Sequence, residues 1–134
     1  MAILLSTQVN AIELISETEA AFPPDSSAAR GITRGPLVRV VFPPPTGGLI
    51  KSPFPLQVKF ESRGASKVDL DSVVVTYRRI PAIDLTQRIK RYISADGIEI
   101  PVAEVPAGTH RIRIEVRDSE GRAGLADFTF TATK

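Results

Sequence analysis

The sequence predicts an all-β domain in which two sheets pack face to face. Three observations carry that expectation. Apolar and polar residues alternate in several short runs, as in strands with one face on a core and the other in water. Clusters of Pro, Gly, Asp and Ser separate those runs. Eleven prolines are scattered through 134 residues. That argues against a helical bundle, because proline removes a backbone donor and clashes with the preceding turn.

The clearest run is the last third, Pro106 to Lys134. His110, Ile112, Ile114 and Val116 share one parity, and Arg111, Arg113, Glu115 and Arg117 the other. Asp118-Ser119-Glu120-Gly121 supplies turn chemistry. The return run places Ala126, Phe128, Phe130 and Ala132 on one face and Asp127, Thr129, Thr131 and Thr133 on the other. Thr and Phe suit a pleated, half-buried surface. Together these runs predict a closing β-hairpin.

Upstream, Ser16-Glu17-Thr18-Glu19 has the pattern of a capping box, and Pro23-Pro24 ends any helix it starts. This segment reads either as a tail docked on the domain or as an amphipathic partner-binding arm. A short helix is marginal in water without packing, which favours docking. Residues 23–36 show no hydrophobic period and read as linker. The chain therefore divides into an N-terminal segment, 1–35, and a domain, 36–134. Leu37 to Phe42 is the first strand, closed by Pro43-Pro44-Pro45 and two glycines. Leu56 to Glu61 is the next, with Leu56, Val58 and Phe60 inward. Ser72 to Arg79 is the third. Val74 is apolar on the face opposite Val73, Val75 and Tyr77, which suggests a central strand. From Asp84 to Ile93 the apolar spacing becomes helical, with Asp84 as N-cap, and a short crossing helix is expected. Ile98 to Val105 is extended, and Pro101 marks it as an edge strand. The sum is about six or seven strands with one helix between them.

Composition narrows function by exclusion. A net charge of +2 and a pI near 9.2 are too mildly basic to imply nucleic acid. Without cysteine there is no disulfide framework, thiolate metal site or Cys nucleophile. No run approaches the ~20 apolar residues of a membrane-spanning helix. The start, Ala2-Ile3-Leu4-Leu5 then Val9-Asn10-Ala11, reads either as the remnant of a signal peptide or as an ordinary amphipathic beginning. It has no basic region before it, and its apolar stretch is short.

Residues 36–134 resemble the bacterial immunoglobulin-like (Ig-like) domains of exported proteins. The segments carrying the resemblance are GGLIKSPFPLQVKF, VDLDSVVVTY and VPAGTHRIRIEVRDSEGRAGLADFTFTATK. It implies an antiparallel Ig-like sandwich, a periplasmic or secreted setting, and a role as spacer, adhesion element or accessory module. It names no ligand. The stretch from Ile83 to Ile93 and the N-terminal extension depart from the family pattern.

No catalytic set assembles. His110 is the only histidine, and its parity points it at the core, where backbone partners satisfy it more often than substrates do. Asp69, Asp71, Asp118 and Glu120 lie in turns. Such carboxylates can hold Ca²⁺, but Asp is favoured in turns without any ion. No metal or cofactor is implied. The candidate surface is basic. Arg78, Arg79, Arg88, Lys90 and Arg91 form one group and Arg111, Arg113 and Arg117 a second row, with Glu115 and Asp127 interrupting it. If the groups converge they suit an anion. Two tyrosines and no tryptophan leave few platforms for stacking sugars or bases. The expected function is a non-enzymatic Ig-like interaction or structural module with a protein partner. The alternative is a polyanion-binding module for glycan, lipid headgroup or nucleic acid.

Overall fold

The computed structural model describes residues 11–25, 34–44 and 48–133. The described residues begin with a two-residue strand, β1 (Ile12–Glu13), and one helical turn, α1 (Glu17–Ala20). β2 (Leu37–Phe42), β3 (Leu49–Lys51), β4 (Phe54–Glu61) and β5 (Val68–Tyr77) follow. The middle holds β6 (Ile83–Asp84), α2 (Thr86–Ile89), a 3₁₀ turn over Lys90–Tyr92 and β7 (Ile93–Ser94). β8 (Gly97–Glu104), β9 (Gly108–Asp118) and β10 (Ala123–Thr133) complete the chain. Among the described residues no helix is long and apolar enough to cross a membrane.

The strands make two sheets. One runs β1-β8-β4-β2, with β7 also on β8; the other runs β3-β10-β9-β5-β6. Most ladders are antiparallel, but β1 lies parallel to β8 and β3 parallel to β10. Both parallel pairs come from two- and three-residue edge strands, too short to leave an alternation in the sequence. β2 belongs to the first sheet through β4, and the chain then crosses so that β3 joins the second. At the other end of β2, just before Leu37, the backbone comes very close to the start of β10. The Gly35 N–H donates to the Ala123 carbonyl at 3.0 Å, and a Cβ on Gly124 would sit 1.9 Å from the Pro36 carbonyl oxygen, so only glycine fits there.

The hairpin has the predicted inward face, with Phe128 opposite Ile112 and Phe130 opposite His110 across the ladder. Ile112, Ile114, Val116, Phe128, Phe130 and Ala132 are buried. They pack on Phe54, Leu56, Val58, Ile98 and Ile100 of the first sheet, with Phe54 edge-on to Phe130 at 5.3 Å.

Three elements differ from expectation for local reasons. β8 is not a bare edge. β7 covers its first residues and β1 its last, and Pro101 falls in the gap between them. There its missing N–H breaks no bond, and Pro101 and Val102 together oppose Pro55 in a bulge. β5 is not central. Only the two-residue β6 lies outside it, and Val74 is 40% exposed opposite Glu115. The crossing helix shrinks to α2 and the 3₁₀ turn. Asp84 is a strand residue whose carboxylate accepts from the Thr86 N–H at 2.9 Å.

The described part of the N-terminal segment packs on the sandwich. Ser16 and Glu19 form the reciprocal capping box. Leu14 and Ile15, at 0% and 1% exposure, belong to the core. Pro24 then bridges to Arg79, so residues 12–24 reach from β8 of one sheet to the strand end of the other.

Candidate functional site

Strand parity builds the site. On the solvent face of the second sheet Asp127 stands opposite Arg113, and Thr129 opposite Arg111, from β10 to β9. Arg78 follows β5, and its N–H donates to the Arg111 carbonyl at 2.9 Å. The two arginines are therefore cross-strand neighbours. On the other side of Arg78 lies the N-terminal segment. The Asp25 N–H donates to the Arg78 carbonyl at 3.3 Å, and the Ile80 N–H to the Pro23 carbonyl at 2.8 Å.

Asp127 gathers three guanidiniums. Arg111 reaches it at 2.9 Å, Arg113 at 3.3 Å and Arg78 at 3.4 Å. The Asp25 carboxylate accepts from Arg78 Nη2 at 3.0 Å and Nε at 3.2 Å, and its carbonyl accepts from Arg111 at 3.3 Å. Arg78 is 5% exposed, Arg111 and Arg113 about a quarter. Arg79 sits beside them. It donates to the Tyr77 hydroxyl at 2.8 Å and the Thr109 carbonyl at 3.0 Å, and its guanidinium lies 4.9 Å from the Tyr77 ring centre. A depression of about 380 Å³ opens here, lined by Pro24, Asp25, Arg78, Arg79, Thr109, Arg111 and Thr129.

Beneath it runs a buried chain of polar groups. The Pro106 carbonyl can only accept, so the 2.7 Å contact to His110 Nε2 puts the ring proton on that nitrogen. Nδ1 then accepts from the Tyr77 hydroxyl at 2.8 Å, and the Tyr77 oxygen accepts from Arg79. Burial, the largest influence on each, lowers the His110 pKa and raises that of Tyr77. His110 is 1% exposed with both nitrogens engaged. It holds the core end of the hairpin.

The remaining basic residues lie elsewhere. Arg88 donates to both Glu19 carboxylate oxygens and, at 2.9 Å, to the Leu14 carbonyl, which clamps the N-terminal segment to α2. That pairing holds Glu19 at about 2, below its ordinary 4.5. Lys90 is exposed in the 3₁₀ turn, and Arg91 stacks on Tyr92. Arg117 donates to the Gly121 carbonyl at 3.2 Å. It lies six residues from Arg111, about 20 Å along a strand. Four of the eight candidates, Arg78, Arg79, Arg111 and Arg113, therefore share one site.

Asp69 and Asp71, expected in a turn, are strand residues of β5, which starts earlier than its apolar pattern and is irregular between Asp69 and Val74. Asp118 ends β9, and Glu120 lies in the turn after it. Asp118 accepts from the Glu120 and Arg122 N–H groups at 3.0 and 2.9 Å, and Asp69 from the Asp71 N–H at 3.1 Å. Among the described residues no three His, Asp or Glu side chains gather as metal ligands. Asp25 was not legible in the sequence. It lies in a linker-like stretch 53 residues from Arg78, and no local spacing links the two.

No protein-family model matches the chain, and neither a curated protein nor a solved structure does.

Proposed function

We propose that the chain is a non-catalytic, Ig-like binding module that recognises an acidic segment of a protein partner through the face formed by Arg78, Arg79, Arg111 and Arg113. The observation that carries this is a charge imbalance. Among the described residues four guanidiniums meet two carboxylates, Asp25 and Asp127, around an open depression. Among the described residues Arg79 bonds to a hydroxyl and a carbonyl and to no carboxylate, so its charge is left for a ligand. Arginine suits the task, since its planar fork matches a carboxylate and it is weakly hydrated.

Strand order supports the Ig-like reading. β2-β4-β8 facing β10-β9-β5 corresponds to the A-B-E and G-F-C arrangement of Ig-like sandwiches. An exported setting goes with this reading through the sequence resemblance. A localised acidic ligand fits better than a long polyanion, because Arg88, Lys90, Arg91 and Arg117 make no continuous track with the site.

The test is titration of the full chain with a decaglutamate peptide at low and physiological salt. Binding should weaken with salt and be lost in the Arg79→Ala/Arg111→Gln double variant, yet survive in Lys90→Ala/Arg91→Ala. The opposite pattern, or no binding to the wild type, overturns the proposal. Heparin binding that depends on Lys90 and Arg91 would favour a polyanion module instead.

A further inference from the structure

We infer that the site takes an extended peptide carrying a carboxylate, and that the chain's own Pro23-Pro24-Asp25 occupies it as an internal competitor. This rests on the function proposed above and adds the form of the ligand and its regulation. The segment behaves as a docked peptide in two respects. Its backbone adds an antiparallel bridge beside Arg79, using the Pro23 carbonyl and the Asp25 N–H. Its side chain delivers a carboxylate to Arg78, while its carbonyl takes a bond from Arg111. Main-chain pairing that gives affinity, with a side-chain pocket that gives specificity, is how edge-strand peptide recognition works. A partner segment with an acceptor carbonyl two residues before an acidic residue makes the same contacts in trans.

The geometry allows exchange without unfolding the domain. The N-terminal segment is anchored upstream by buried Leu14 and Ile15 and by the Glu19–Arg88 pair. The contacts just named are among those that hold Pro23 to Asp25, and Pro23 and Pro24 are exposed. Releasing it takes the Asp25 carboxylate from Arg78 and the Asp25 carbonyl from Arg111, and among the described residues leaves four guanidiniums facing one carboxylate, Asp127. A tethered occupant competes at a high effective concentration. If it fills the site nine-tenths of the time, it raises the apparent dissociation constant of an external ligand about tenfold.

The experiment is an NMR titration of the ¹⁵N-labelled full chain with the acetylated, amidated peptide Ala-Phe-Pro-Pro-Asp, the sequence of residues 21–25. The same peptide ending in Asn is the control. The Asp peptide should shift the Arg79 and Ile80 amides of the Asp25→Ala chain at concentrations about tenfold lower than in the wild type, and the Asn peptide should not. If Asp25→Ala loses its dispersed spectrum, the isosteric Asp25→Asn takes its place. Equal shifts in wild type and variant, or shifts by both peptides alike, overturn the inference. Should decaglutamate bind through Arg79 and Arg111 while Asp25 substitution changes nothing, this inference fails and the proposed function stands. Should neither peptide bind any form, both fail.

Discussion

Replacing Asp127 with alanine takes one carboxylate from three guanidiniums at once. Arg111 and Arg113 are partly wet, so each lost pair is worth about 0.5–1 kcal/mol, the upper part of the range for exposed pairs. Arg78 is 5% exposed and keeps Asp25. Losing one of two partners there costs about 1.5–2 kcal/mol, toward the scale of a charge-assisted hydrogen bond. The total is about 3 kcal/mol, near the lower end of what breaking a buried pair costs. For a domain of this size that lowers Tm by about 10 °C. Urea and thermal unfolding of wild type and Asp127→Ala measure it, and Asp127→Asn should fall between them. Glu61→Ala is the internal control. Its pair with Arg39 spans 3.9 Å with both side chains more than half exposed, and its loss should be undetectable. A cost for Asp127→Ala below about 1 kcal/mol, within the range of a single exposed pair, would refute the reasoning. The three arginines would then be solvated side chains that happen to lie close together.

Other perturbations test other joints. Leu14→Ala should cost about 2–5 kcal/mol in urea unfolding, as for any buried leucine. A cost near zero would mean that the N-terminal segment is not part of the core. Glu19 has its pKa lowered by Arg88, from 4.5 to about 2. The stability it gives is whole above pH 4.5 and drains as pH falls toward 2; acid titration of Arg88→Met should show that part of the slope removed. The lowered pKa of buried His110 means the unfolded chain binds its proton first. Stability should therefore decline as pH drops below about 6.5, and His110→Gln should flatten that decline while lowering stability at neutral pH. Thr129 is exposed opposite Arg111 and lines the depression. Thr129→Glu should raise stability by a few tenths of a kcal/mol and abolish decaglutamate binding; retained binding would show that the ligand lies elsewhere.

Much of the fold was legible because the signals are local. β9 alternates from His110 on and β10 from Asp127 on, so parity alone assigned their buried and exposed faces there. The capping box at Ser16 and Glu19 needs only four residues. The arginine site was half legible for the same reason: Arg111, Arg113 and Asp127 follow from parity within one hairpin. What stayed hidden depends on distant pairing. β1 and β3 are edge strands defined by the strands they join, not by their own pattern. Val74 reads as buried until the short β6 shows that its strand lies next to an edge. Asp25 belongs to the site only because Pro24 bridges to Arg79, a partner 55 residues away in a different part of the chain.

The contrast between the two ends of the hairpin argues for function at one of them. At the turn end Asp118 is buried and saturated. Two backbone N–H groups and the Arg122 guanidinium converge on it, and Arg122 also pairs with Glu120 at 2.7 Å. Asp118, Glu120 and Arg122 each have an opposite charge within hydrogen-bond reach, as expected where the task is to close a turn, and Arg117 is held by the Gly121 carbonyl. At the other end guanidiniums outnumber carboxylates among the described residues, Arg79 is held by neutral groups, and the sheet face is left open as a depression. Clustered like charges oppose folding, and a substitution as simple as Thr129→Glu would relieve them. A face arranged only for stability would gain by that relief. One that must accept a carboxylate from outside has to keep the excess, with Asp127 fixing the arginines in place and Asp25 covering them until a competing segment arrives.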